Sequence, residues 1–138
     1  MRVHEFFEEL RDSLLQNNDL KDLIGSKIFP YKVPESASKP YVTIRSKEYD
    51  RNFTISITHE WLVFGSLDFW IYGENPSEIN QIQEKIEDIL HLSNHQTENI
   101  KCRNIVCIAG QNAFQPDIQK YPDLYTAYST FRAEVSIK

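Results

Sequence analysis

The 138-residue chain contains only two cysteines and four glycines, and it has no long apolar run. Two thiols are too few for the disulfide framework of a small secreted domain. Gly25 and Gly65 stand alone, which excludes a glycine-rich phosphate loop. No apolar stretch approaches the roughly 20 residues that span a bilayer, and acidic residues interrupt the N-terminal segment where a signal-peptide core would lie. We therefore expect neither a membrane span nor a cleaved leader.

The two cysteines, Cys102 and Cys107, fall on one predicted strand. Their odd separation places the side chains on opposite faces of a regular strand, so the two thiols are not expected to bond to each other. Two buried free thiols in a reducing compartment is the plain interpretation.

Positive charge is also scarce, because the chain has 15 basic and 20 acidic residues, which gives a formal net charge of −5. Nucleic-acid binding ordinarily needs a basic face, and so does attachment to an anionic membrane surface. The hydrophobic share of 41% and the aromatic share of 12% indicate a folded chain. The length is that of one domain, which we assign to residues 1–138.

Apolar spacing predicts a helix at residues 3–17, and Asn75-Pro76 begins a second helix with an isoleucine stripe. Strands are predicted at 28–29, 41–49, 61–72, 100–109 and 124–137. Residues 20–24 and 50–52 are predicted turns, 53–58 a strand continuation or hairpin arm, and 111–123 a polar loop. The order α-β-β-β-α-β-β predicts an α+β domain with two helices packed on a four- to five-stranded, mostly antiparallel (mixed) sheet. Its expected core includes Phe6, Leu10, Phe69, Ile82 and Ile86.

The strand at 61–72 carries apolar residues at both odd-numbered and even-numbered positions. This pattern predicts a central strand covered on both sides, either by helices of the same chain or by a neighbouring subunit. Regular alternation divides its side chains into one set of Trp61, Val63, Leu67, Phe69 and Ile71 and another of Leu62, Phe64, Trp70 and Tyr72.

Few residues form a pattern that indicates chemistry. His91 and His95 have a spacing that on a helix suits zinc, but no cysteine or acid completes a ligand set. Histidines in the last turn of a helix also donate hydrogen bonds to backbone carbonyls that have no partner within the helix. Asp68 lies within an apolar strand, where a carboxylate needs a partner, and His59 is the nearest candidate base. A small hydrolase that uses Asp68 and His59 is therefore the alternative to a protein that only binds. We expect no catalytic residues, no cofactor and no metal.

Three segments carry a resemblance to a known family. They are Leu23-Ile24-Gly25-Ser26-Lys27-Ile28-Phe29, Val33-Pro34-Glu35 and Lys39-Pro40-Tyr41-Val42-Thr43-Ile44. The chain resembles the phage tail-terminator (tail-completion) proteins of long-tailed phages, in which a glycine precedes an Ile-Tyr/Phe strand and a Pro-Tyr pair enters the next one. The segment Trp70-Ile71-Tyr72, the helix start Pro76-Ser77-Glu78 and the final strand with Arg132 are also similar to the family.

The resemblance implies a structural, non-enzymatic virion protein that is assembled in the host cytoplasm. It implies a homohexameric ring that caps the tail tube, stops its polymerisation and offers the surface for head-tail joining. The partners implied are other copies of the chain, the tail tube protein and the head connector or neck proteins, with DNA passing through the lumen without specific binding. A head-completion or neck adaptor protein is the alternative within the same class.

The segment 30–40 contains three prolines, which exclude a helix and a central strand. Prolines also reduce the entropy that an arm loses when it docks on a neighbour. We therefore predict a subunit interface at this segment, formed by Pro30, Tyr31, Val33, Pro34, Pro40 and Tyr41.

Because no complete ligand set is visible, a chelator should leave the melting temperature unchanged. A thermal scan with and without chelator measures this. A drop of several degrees that zinc restores would contradict the expectation and indicate His91 and His95 as ligands.

Overall fold

A computed structural model describes residues 3–30, 33–46, 50–53, 60–96 and 100–137, and the side chains of 5–30, 33–46, 62–94 and 101–136. These residues form three helices and seven strands. The helices are α1 (Val3–Leu15), α2 (Asn18–Ile24) and α3 (Pro76–Leu90). The strands are β1 (Ile28–Phe29), β2 (Tyr41–Ser46), β3 (Asp50–Phe53), β4 (Glu60–Gly73), β5 (His95–Gln96), β6 (Ile100–Phe114) and β7 (Tyr125–Ile137). The predicted α+β class is confirmed.

The helix boundaries follow from capping residues. Asn75 caps α3, because its side-chain oxygen accepts hydrogen bonds from the backbone N–H groups of Ser77 and Glu78. Asn17 does the same for Leu20 at the start of α2, and Gly25, at a φ of 64°, ends that helix. The predicted turn at 20–24 is therefore wrong, because Asn17 caps a second helix instead of only ending the first.

The strands form one sheet in the order β1-β2-β4-β7-β6-β5, with β3 also paired to β4. The β1–β2 pair is parallel and the other pairs are antiparallel, so the predicted mixed, mostly antiparallel sheet is present. The predicted turn at 50–52 is wrong, because Asp50–Phe53 pairs with the start of β4. The predicted 111–123 loop begins too early, because β6 continues to Phe114. The predicted continuation or arm at 53–58 lies, apart from Phe53, outside the described residues.

The register of β4 against β7 shifts between Phe64 and Leu67, where β4 holds one extra residue. This bulge, at Gly65 and Ser66, reverses the alternation of the strand. As a result Leu62, Phe64, Leu67, Phe69 and Ile71 are all buried on one face. The predicted division of these side chains between two covered faces is wrong, because it assumed regular alternation.

Three further register shifts interrupt β6. The first, between Arg103 and Val106, leaves Cys102 opposite Val135 and Cys107 opposite Phe131. The side chains of Val135 and Phe131 are both buried in the core. Both thiols therefore point to the same face, and the prediction of opposite faces is wrong. They are free and lie four β7 positions apart, roughly 13 Å along the strand.

All three helices contribute to a core on one face of the sheet. The residues expected in this core are buried as predicted, with exposed fractions of 1% or less for Phe6, Leu10, Phe69, Ile82 and Ile86. Phe6 joins the layers directly, because its ring centroid lies 5.3 Å from that of Phe64 on β4.

Replacing Leu10 by alanine should lower the free energy of unfolding by about 2–5 kcal/mol, because the cavity would open in a fully buried site. Urea denaturation measures the change. The matched control is Asp12→Ala on the exposed side of α1, with an expected change within about 0.5 kcal/mol. Equal, small changes for both variants would show that α1 does not pack through Leu10.

Candidate subunit interface

The second face of the sheet carries no helix of the described chain, and we call it the open face. Regular alternation in β7 places the odd-numbered residues 127–135 in the core and the even-numbered ones on the open face. The registers of β2 and β4 extend this face to Tyr41, Thr43, Arg45, Asp68, Trp70 and Tyr72. The open face thus carries aromatic and polar side chains, of which Thr43 and Thr126 are buried.

Five aromatic rings and one guanidinium form a continuous cluster at one end of the open face. We call it the aromatic patch, and its members are Phe29, Tyr41, Arg45, Trp70, Tyr72 and Tyr128. Ring centroids are 6.0 Å apart for Phe29 and Tyr41, 5.2 Å for Tyr41 and Tyr72, and 4.7 Å for Trp70 and Tyr128. The five rings are half-buried, so each keeps an edge or a face in contact with solvent.

Arg45 links the two halves of the aromatic patch. Its guanidinium donates a 2.7 Å hydrogen bond to the hydroxyl of Tyr72 and lies 5.4 Å from the ring centroid of Trp70. Burial raises the pKa of the Tyr41 hydroxyl, nearby Tyr72 raises it further, and Arg45 opposes both. The hydrogen bond and the cation–π contact of Arg45 therefore restrain both halves of the patch.

A charged cluster occupies the other end of the open face, around Glu134. Arg103 Nε and Asn104 Nδ2 each donate to Glu134 Oε2 at 2.9 Å, and Arg132 Nη1 lies 3.6 Å from Oε1. Asn104 has a φ of 53° at the bulge of β6, which directs its side chain to this carboxylate. Burial raises the pKa of Glu134, but the hydrogen bonds from Asn104 and Arg103 and the charges of Arg103 and Arg132 outweigh it, so its pKa is lower than that of an ordinary glutamate.

Asp68, the candidate catalytic acid, lies on the open face beside the aromatic patch. Its Oδ1 accepts hydrogen bonds from the hydroxyls of Ser66 at 3.1 Å and Thr130 at 2.7 Å. These bonds join the bulge of β4 to β7, which gives the carboxylate a structural role. His59, the proposed base, lies outside the described residues.

A network of hydrogen bonds connects α3 to β6 and β7. Gln83 is 4% exposed, and its Nε2 lies within hydrogen-bond distance of the backbone oxygens of Tyr128 and Gln111. Ser129 donates a 2.6 Å hydrogen bond to Glu87. Gly110 leaves room for this network, because a Cβ there would lie 3.0 Å from the Tyr128 oxygen.

The surroundings of both cysteines raise the pKa of the thiol. Burial, together with Glu87, raises the pKa of the Cys107 thiol, although a backbone hydrogen bond to Ala109 opposes this. Burial, with a contribution from Glu134, raises the pKa of Cys102 to about 12. Because the thiolate is the reactive form, a raised pKa lowers the reactivity of both thiols at neutral pH.

The pair His91 and His95 does not lie on one helix face. The helix ends at Leu90, and His91 follows as its C-cap with Nδ1 accepting from the Cys107 N–H at 3.0 Å. His95 belongs to β5. Among the residues described, no cluster of three or more His, Cys, Asp or Glu side chains has the arrangement of a metal site.

The predicted interface segment connects β1 to β2 beside the aromatic patch. Pro34, Ser38 and Lys39 are exposed, Val33 and Pro40 are half-buried, and Tyr31 lies outside the described residues. The segment is tied to its own domain, because Lys27 Nζ donates to the Ser38 backbone oxygen at 3.0 Å. Of the predicted residues, Tyr41 belongs to the aromatic patch.

The sequence placed Trp70 and Tyr72 on one face of their strand, as observed, but it did not show that Tyr128 shares this surface or that Leu62 and Phe64 lie on the other one. Two signals were present. An isolated glycine in an apolar strand, here Gly65, indicates a bulge, and the polar or aromatic residues at even positions of 126–136 indicate a strand with one solvent-facing side.

Comparison with known proteins supports the fold. No known protein family and no curated protein matches the sequence. A chain in the structure of the virion of a native gene transfer agent (GTA) particle is similar in fold, with a TM-score of 0.72 over 94% of this chain and 93% of that chain. The two sequences are 14% identical, so the comparison shows a shared fold. None of the three described helices combines the length and the hydropathy that a membrane-spanning helix requires.

The lowered pKa of Glu134 predicts a pH dependence. A carboxyl with a lowered folded-state pKa adds stability above its unfolded-state value, and this contribution is lost as the pH falls through the folded-state value. Glu134→Gln should therefore destabilise the protein by roughly 1 kcal/mol at pH 7 and by progressively less below pH 4.5. Urea denaturation of both proteins at several pH values measures the difference. A difference that stays constant down to the most acidic pH would contradict the assigned ion pairs.

Proposed function

We propose that this protein is a structural subunit of a phage-like particle and acts as its tail terminator. In this role copies of the chain form a ring, a hexamer by the resemblance to tail terminators, that caps the tail tube, stops its polymerisation and provides the head-tail joining surface. The observation that carries the proposal is the fold similarity to a chain of the gene transfer agent virion, which extends over 94% of this chain. The shared unit is therefore the whole two-layer domain.

The segments that resemble tail terminators support the finer role. Phe29 and Tyr41 stand at two of the positions that carry the resemblance, and their rings pack 6.0 Å apart in the aromatic patch. Half-buried tyrosine, tryptophan and arginine side chains are typical of protein–protein interfaces. The same residues would serve both to join β1 to β2 and to contact a partner.

The ring contact is proposed to include Pro30, Tyr31, Val33, Pro34, Pro40 and Tyr41. Pro30 directly follows Phe29, and Tyr41 lies beside it, so this segment and the aromatic patch are continuous. The further partners are the tail tube protein and the head connector, and DNA passes through the lumen without specific binding. No catalytic step, cofactor or metal takes part.

Deleting the gene in a particle-producing host tests the role directly. We expect tails of uncontrolled length that do not join heads, as measured by electron microscopy, with both defects corrected by the wild-type gene. Normal tail length with unjoined heads would instead indicate the head-completion or neck adaptor role. Normal tails that join heads would contradict both.

The ring contact has a separate test. Changing Tyr31 and Val33 together to serine should lower the assembled mass in light scattering and leave the thermal unfolding of the monomer nearly unchanged. Changing the exposed Glu35 and Lys39 of the same segment to serine is the matched control, and this variant should assemble as the wild type does. Equal assembly of all three proteins would remove the segment from the interface.

A further inference from the structure

Formal charge is divided unequally between the two layers of the domain. The helices α1, α2 and α3 contain ten acidic and three basic residues, a formal charge of −7, whereas the whole chain carries −5. The rest of the chain therefore carries +2. The acidic residues are concentrated on the solvent side of the helices, because their apolar stripes face the core.

The open face has the opposite balance. Four basic and two acidic residues are described on it, which gives a formal charge of +2. The basic residues are Arg45, Lys101, Arg103 and Arg132, and the acidic ones are Asp68 and Glu134. The registers place them on the side away from the helices. Arg45 and Arg132 are exposed, whereas Glu134 is largely covered and already accepts hydrogen bonds from Arg103 and Asn104.

We infer that the open face binds the acidic helix layer of a second copy of the chain, in a head-to-tail contact. This inference rests on the proposed function, because it assigns the two surfaces that form the ring. The basic residues of the open face would meet the acidic residues of α3, while the aromatic patch supplies the apolar centre of the contact.

The architecture of the domain favours this pairing over a face-to-face one. The helix layer and the open face lie on opposite sides of one sheet, so each copy offers one surface to each neighbour. Repeating such a heterologous contact closes into a ring when the rotation between copies allows it. Two open faces would bring together two surfaces that each carry a formal charge of +2, which is repulsive.

A single-stranded nucleic acid is the other ligand that an aromatic and basic sheet face attracts. Two observations favour the protein partner. The ring centroids of Trp70 and Tyr128 are already 4.7 Å apart and those of Tyr41 and Tyr72 are 5.2 Å apart, so these rings pack on each other where a base would have to stack. The acidic helix layer also supplies a complementary surface on every copy.

Paired charge reversals test the contact. The first variant, Arg45→Glu with Arg132→Glu, makes the open face acidic. The second, Glu84→Lys with Asp88→Lys, reverses two exposed acids of α3. Each variant alone should associate at least about tenfold more weakly than the wild type in sedimentation velocity, because like charges then meet. A one-to-one mixture should recover assembly, because both contacts in the mixture join opposite charges.

Matched controls reverse exposed charges outside both surfaces. Lys120→Glu and Asp123→Lys lie in the loop between β6 and β7 and should assemble as the wild type does. Thermal unfolding of every variant establishes that the fold is retained, and the recovery of assembly in the mixture is itself incompatible with unfolded variants.

Several outcomes would overturn the inference. Normal assembly of the α3 variant alone, with failure of the open-face variant, would indicate face-to-face pairing. If the mixture fails to assemble, or if both variants assemble alone, the ring of the wild-type chain uses a contact other than the one inferred here. Loss of single-stranded DNA binding on Arg45→Glu, measured by fluorescence anisotropy, would assign the open face to nucleic acid. A wild type that stays monomeric at every salt and protein concentration would exclude a second copy as the occupant, whereas tail length after gene deletion would still decide the proposed function.

Discussion

At Gly65 and Ser66, β4 holds one residue more than the β7 segment opposite, and this extra residue sets which side chains reach the core. Without it, Leu62 and Phe64 would point away from the helices while Leu67 and Phe69 pointed toward them. With it, all four lie in one core, and the polar and aromatic residues remain together on the open face. The hydroxyl of Ser66 and that of Thr130 hold the bulge through Asp68.

Sequence patterns predicted those parts of the fold that depend on local signals. The α3 start follows from Asn75 and Pro76, and the buried positions of α1 and α3 follow from helical spacing. The faces of β4 and β6 were not predictable in this way, because each bulge shifts the alternation by one residue and the shift depends on the partner strand. Cys102 and Cys107 illustrate the effect, since one extra residue between them moves both thiols to the same face.

The candidate interface was predictable only at its margin. Prolines drew attention to the 30–40 segment, and Tyr41 is the residue of that prediction that belongs to the aromatic patch. Trp70 and Tyr72 lie on β4 and Tyr128 on β7, which are distant in sequence, and only the pairing of β4 with β7 and with β2 brings them together with Tyr41. The two-layer fold thus produces two unlike surfaces from one chain, an acidic helix layer and an aromatic, basic sheet face, and this asymmetry suits a subunit that repeats head to tail.

The central claim is that assembly covers the open face. Trp70 is half-buried there, and a Trp61→Phe variant leaves it as the sole tryptophan of the chain. The most direct measurement is the acrylamide quenching of Trp70 fluorescence in monomer and ring fractions of this variant. The account predicts markedly weaker quenching in the ring, because a neighbouring copy covers the aromatic patch. Equal quenching in both fractions would contradict it.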